Sequence, residues 1–136
     1  MIVTDIGLQI CRIVVVDLKG IVLFDRWFGV KEGTGVLDFV THITGIDGDV
    51  YKEKMLGTEA YGEKWRDVLM ELVKDKVIVG HDLVNDLKML LIKHQAFIDS
   101  VWLMPHHFGL PLKNKLKDLA FEYLKKYIQW GSHDPY

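Results

Sequence analysis

The sequence predicts an α/β layer built on a mixed β-sheet. Two β-branched, apolar segments come first, "LQICRIVVVD" (8–17) and "IVLFDRWFG" (21–29), divided only by "LKG". From Trp65 onward, helical and strand-like stretches alternate. An antiparallel start followed by strand–helix alternation points to a sheet with helices packed on it. No internal repeat, low-complexity tract or linker interrupts this pattern, and the three prolines all lie in the C-terminal quarter.

The two opening segments read as a hairpin, since β-branched runs separated by a short glycine-containing turn favour antiparallel pairing. "GVLDFVTHITGIDGD" (35–49) is apolar but broken by glycine, which predicts a loop holding a short helix. Apolar residues at 65, 68, 69, 72 and 73 then follow the spacing of a one-sided helix. "KVIVG" (76–80) is a short buried strand, and Leu83, Leu87, Leu90 and Leu91 resume the helical spacing. "AFID" (96–99) reads as another strand and "SVWLMPHHFGLPLKN" (100–114) as an irregular loop. Leu116, Leu119, Ala120, Tyr123, Leu124 and Tyr127 give a last helix with a clean apolar face, before the tail "IQWGSHDPY".

A chain of 136 residues predicts one domain, 1–136, able to bury about two-thirds of its unfolded surface. At 49% hydrophobic and 26% charged, the composition is that of an ordinary soluble protein. No apolar run reaches the roughly 20 residues a membrane helix needs. "MIVTDIGLQI" lacks the basic start and apolar core of a signal peptide. The lone Cys11 has no partner for an internal disulfide, so the expected compartment is reducing. A net charge of −2 gives no whole-molecule attraction for nucleic acid. It leaves room for an enzyme that grips a few nucleotides through metal ions.

The densest chemistry lies in "VIVGHDLVNDLKML" (77–90), where an apolar strand stops at Gly80 and a helix starts at once. In open α/β sheets, ligands bind beyond the carboxyl ends of the strands. Asp82 is placed to be the helix N-cap, its side chain accepting from a free first-turn amide. Asp86 stands one turn inside, between Leu83 and Leu90 of the apolar face, so its carboxylate borders the sheet and needs a partner. Two acids at a helix start are also favoured by the helix dipole alone. On this stretch by itself, the structural and functional readings both stand.

Read with its C-terminal context, "VGHDLVNDLKML" followed by "KHQAFIDSVWLMPHHFGLPLKNKLKDLAFEYLKKYIQWGSHD" resembles the eukaryotic RNA exonucleases of the DEDDh group. The Rex-type branch is the most similar, and "GLQICRIVVVDLKGIVLFDRWF" and "VLDFVTHITGI" match its hairpin and next segment. The resemblance runs from Met1 to Asp134 through short motifs in the right order and spacing. It implies an RNase H-like, DnaQ-like mixed sheet flanked by helices. It also implies 3′–5′ hydrolysis of terminal phosphodiesters at RNA 3′ ends, and a nuclear or at least intracellular location.

In that family, four carboxylates hold two divalent ions, Mg²⁺ or Mn²⁺, and a histidine serves as general base. The pattern G-H-x-L-x-x-D-L falls on Gly80, His81, Leu83, Asp86 and Leu87. Asp86 is therefore the implied metal-binding, catalytic carboxylate, whereas Asp82 is not. His133, in "SHD", matches the catalytic histidine, a side chain suited to take a proton near neutral pH. Thr41 and Thr44, in "THITGID", correspond to the segment near the 3′-terminal nucleotide and are the implied substrate neighbours.

The sequence departs from the family at both ends. The first two carboxylates belong to a D-C-E-M motif whose methionine falls on Met1, and the fourth to an S-x-E-D motif beyond "SHDPY". The expectation is thus a domain lacking its first, central strand and last helix, and inactive as it stands. A non-catalytic RNA-binding or interaction module on the same scaffold is the alternative.

Other clusters point less far. His106 and His107, with His94 and His81, lack zinc-ligand spacing and read as loop. Asp5 reads as a solvated turn residue. Lys113, Lys115, Lys117, Lys125 and Lys126 form no single stripe and read as a solvated face, although RNA binds close by in the family. The four tryptophans read as packing, with only Trp130, in the tail, free to do otherwise.

Overall fold

A computed structural model describes residues 1–30, 33–55 and 64–129. The chain divides into two compact units, Met1–Trp65 with Gln129–Tyr136, and Arg66–Ile128.

In the first unit, β1 (Ile2–Thr4) lies between β2 (Gly7–Gln9) and β5 (Val36–Asp38), antiparallel to both. The β1–β2 turn closes with Thr4 Oγ1 donating to Gly7 O at 2.6 Å, and Gly7 adopts a φ of 113° that few side chains tolerate. Asp5 is more than a solvated turn residue: its carboxylate accepts from Gly35 N at 3.1 Å and ties this turn to the start of β5.

β3 (Arg12–Val16) and β4 (Val22–Trp27) form the expected hairpin, in register from Arg12↔Trp27 to Val15↔Phe24. Asp17 shapes its turn by accepting from Lys19 N and Ile21 N. The stretch read as one strand, 8–17, is two. At Cys11 the chain leaves the β1 ladder for the β4 ladder, because the Cys11 side chain is buried in the core while its carbonyl accepts Phe28 N. Arg12 makes a two-pronged ion pair with Asp25 and lies over the Trp27 ring, holding the Asp25 carboxyl below its ordinary range.

Ile2, Cys11, Ile46 and Tyr51 form the core of this unit, packed by Trp27, Val36, Phe39 and Met55. Tyr51 lies on α2 (Gly48–Met55) and donates its hydroxyl to Phe28 O at 2.8 Å. α2 was not expected. Asp47 starts it by accepting from Asp49 N and Val50 N, which overrides the glycine that suggested a loop. The short helix expected just before it is α1 (Thr41–Thr44).

The second unit contains α3 (Lys64–Val73, beginning at the boundary), β6 (Ile78–Gly80), α4 (Leu83–Leu90), β7 (Phe97–Asp99), α5 (Ser100–Leu103) and α6 (Leu116–Leu124). β6 and β7 are parallel, as strand–helix alternation requires. Of the positions their spacing marks, the amphipathic helices bury Leu69 and Val73, Leu83 and Leu87, Leu119 and Ala120, whereas Val68, Leu91, Tyr123, Leu124 and Tyr127 are exposed. α5 replaces the start of the predicted irregular loop, because Asp99 caps it by accepting from Val101 N. Antiparallel and parallel ladders thus coexist, and among the described residues they form three separate sheets.

Candidate functional site

The site is built where β6 and β7 end. Their parallel register sets Gly80 opposite Asp99, so both strands hand over to a helix at the same level. Glycine is needed at 80 because a Cβ there would come within 2.9 Å of Leu83 Cδ1 and 3.2 Å of Leu83 Cβ. Asp82 follows with φ 58° and ψ 33°, a left-handed conformation that aspartate tolerates better than most residues.

This conformation overturns the expected role of the Asp82 side chain. It makes no capping bond to α4. Its Oδ1 instead meets Lys113 Nζ at 2.5 Å, and its Oδ2 accepts from Asn85 Nδ2 at 2.8 Å. The hydrogen bond from Lys113 holds the Asp82 carboxyl below the usual range, with Asn85 contributing. The pair is about two-fifths exposed, so its contribution to stability is that of a surface salt bridge.

The backbone of Asp82 is held from the neighbouring strand. Asp99 Oδ1 accepts from Asp82 N at 2.9 Å and from Val101 N at 3.0 Å, and the residue is only 4% exposed. Next to it, Ser100 Oγ donates to Gly80 O at 3.2 Å and lies 2.8 Å from His81 Nδ1. Sequence reasoning missed Asp99, Ser100 and Lys113. The available signal was that "FIDS" ends a strand just as "IVGHD" does, so parallel pairing aligns them.

Asp86 is in the first turn of α4. Its carboxyl is pushed above the ordinary value, first by desolvation and then by the negative charges of Asp82 and Asp99. The residue keeps solvent-exposed surface, so the desolvation is partial. Among the described residues it has no hydrogen-bond or ion-pair partner, unlike Asp82 and Asp99. An oxygen donor crowded by like charge, with its lone pairs unclaimed, suits a hard divalent cation. It supplies one ligand. Among the described residues no group of three or more His, Cys, Asp or Glu side chains is placed to hold a metal ion.

Thr41 and Thr44 belong to the first unit, on α1. Thr41 Oγ1 donates to Ile46 O at 2.8 Å, and Thr44 Oγ1 bonds Phe39 O at 2.9 Å while accepting from Ile46 N. Their hydroxyls thus close the loop around α1. His133 and Trp130 lie outside the described residues. His106, His107 and Phe108 cluster ring to ring in a surface loop, with Phe108 three-quarters exposed. A cleft of about 870 Å³ in the second unit is lined by Lys74, Lys76, Val77, Lys93, His94 and Ala96 among others. It opens at the amino ends of β6 and β7, the end away from Asp86, and its lysines are balanced by Asp67, Glu71 and Asp75.

An α/β unit with an unclaimed carboxylate beyond the carboxyl ends of parallel strands has the setting in which open α/β sheets bind ligands. The relatives are more specific. The chain is 31% identical over 98% of its length to RNA exonuclease 1 of Saccharomyces cerevisiae and 35% identical over 98% to RNA exonuclease 3 of Yarrowia lipolytica. It is 31% identical over 93% of its length to the human RNA exonuclease 1 homolog. It spans 24%, 18% and 10% of those proteins, respectively. Among solved structures, the Pan2 catalytic unit of Neurospora crassa (protease and nuclease domain) superposes with a TM-score of 0.76 at 24% identity. That match covers 96% of this chain and 22% of the other. No model of a known protein family matches. The chain has the RNase H-like fold of that nuclease domain, and its resemblance to a segment of the RNA exonucleases holds over nearly its whole length.

Proposed function

We propose that the chain is the nuclease domain of a DEDDh-type 3′–5′ RNA exonuclease, hydrolysing terminal phosphodiesters at RNA 3′ ends. The observation that carries this is the 31–35% identity to RNA exonucleases over 98% of the chain. In this reading Asp86 is one ligand for Mg²⁺ or Mn²⁺, and a bound ion supplies charge neutralisation at the phosphate. His133 takes the proton of the attacking water, and Thr41 and Thr44 lie along the path of the terminal nucleotide. A nuclear location belongs to the same reading and rests on the family resemblance alone.

The test is a chimera in which the flanking carboxylate-bearing segments of RNA exonuclease 3 are fused to this chain. Metal-dependent shortening of a 5′-labelled RNA from its 3′ end, lost in both Asp86→Ala and His133→Ala, is the expected result. A second reading, a non-catalytic RNA-binding module, is favoured by the absence, among the described residues, of any group of three or more side chains placed to hold a metal ion. A folded chimera that binds RNA without shortening it selects that reading.

A further inference from the structure

We infer that Asp99 is a positioning residue for Asp86, acting through the place of its side-chain oxygen and not through its charge. The inference rests on the proposed role of Asp86 as a metal ligand. Three observations carry it.

Asp82 stands in the left-handed region and its carboxylate makes no bond to the first amides of α4. The side chain that holds the backbone at this junction is Asp99, whose Oδ1 accepts Asp82 N at 2.9 Å from the adjacent strand. The same oxygen takes Val101 N at 3.0 Å, so one atom pins the starts of two helices, α4 and α5. Asp99 is buried, and the Gly80↔Asp99 register fixes its height along the sheet. Asp86 is one helical turn beyond the pinned amide. A shift of the first turn moves its carboxylate by a comparable distance, and catalytic groups tolerate displacements of only about 0.5 Å.

Charge is not required for this task. Both donors at Asp99 Oδ1 are neutral backbone amides, which an asparagine oxygen can accept equally well. Asparagine at 99 should therefore preserve the position.

The experiment uses the full chain labelled for NMR, with Asp99→Asn, Asp99→Glu and Asp99→Ala. Residual dipolar couplings report the direction of α4 relative to β6, and Mn²⁺ broadening reports metal binding at Asp86. Asp99→Asn should keep the wild-type couplings and Mn²⁺ affinity. Asp99→Glu keeps the charge but displaces the oxygen by a methylene. It should shift the couplings, speed amide exchange at Asp82 and Val101 by roughly tenfold, and weaken Mn²⁺ binding about as much. Asp99→Ala should behave like Asp99→Glu, and if it does not fold, the Asn–Glu contrast decides alone. Wild-type behaviour in Asp99→Glu with loss in Asp99→Asn overturns the inference. Absence of Mn²⁺ broadening at Asp86 in the wild-type chain instead overturns the metal reading, while the couplings still decide what Asp99 positions.

Discussion

Under its proposed role as a metal ligand, Asp86 pulls stability and function in opposite directions. Its folded-state pKa is raised above the ordinary 3.8, so the folded chain prefers the protonated form. The associated stabilisation is full below 3.8 and is lost as pH rises through the raised value. At neutral pH the ionised carboxylate therefore destabilises the chain. Asp86→Asn should melt higher than wild type at about pH 7, by less than ~1 kcal/mol given the solvent around this residue. The difference should vanish near pH 3. Melts at both pH values check this, and a difference of the same size at the two pH values contradicts the assignment. The resemblance singled out Asp86, through the family pattern that begins at Gly80. The atoms around it were not legible in the same way. Asp99 and Lys113 reach Asp82 from 17 and 31 positions away, and no local pattern records such approaches.

At the scale of elements, the segments with an unbroken period were the readable ones. Leu83 and Leu87 are buried at the spacing that predicts α4, and Ile78 and Val79 form the strand their β-branching suggests, although it is not the buried strand expected, since Val77 and Val79 are exposed. β1 and β5 have three residues each and carry too few alternations to register. α2 escaped because Tyr51 is its only buried side chain, and its start depends on Asp47 and not on an apolar stripe. The β6–α4 junction gives a sharp test of element packing. Gly80→Ala puts a methyl 2.9 Å from Leu83 Cδ1, and Leu83 is itself buried. The cost should be roughly 1–3 kcal/mol, read as a lowered denaturation midpoint at unchanged m-value. In a Leu83→Ala background, where the clash is gone, Gly80→Ala should cost much less, and that non-additivity would identify the clash as the cause. An unchanged midpoint in Gly80→Ala would mean the junction is looser than its geometry.

For the whole molecule, the number of carboxylates decides activity. Two-metal hydrolysis needs several oxygen ligands converging on one phosphate. Within these 136 residues only Asp86 matches a metal position of the family pattern. A polypeptide of this sequence alone should leave a 5′-labelled RNA intact in Mg²⁺ or Mn²⁺. A ladder of shortened products, abolished in Asp86→Ala, contradicts that expectation. The same count explains why similarity was visible across 98% of the chain while the reaction itself was not. Hairpin, strand and helix motifs carry the fold, but catalysis depends on a few side chains drawn from separate segments.

The oxygen shared by Asp82 N and Val101 N also sets an order in time. A helix normally nucleates on its own local caps, but α4 begins at an amide whose acceptor sits 17 residues downstream. Its first turn cannot be secured until β7 has paired with β6. Folding of this unit should therefore pass through a barrier in which strand pairing precedes helix α4. Substitution at Asp99 should then slow folding about as much as it destabilises the chain, giving a φ-value near 1. Solvent-facing Ala→Gly pairs on α4 should give values near 0, and the reverse ranking would place the helix first.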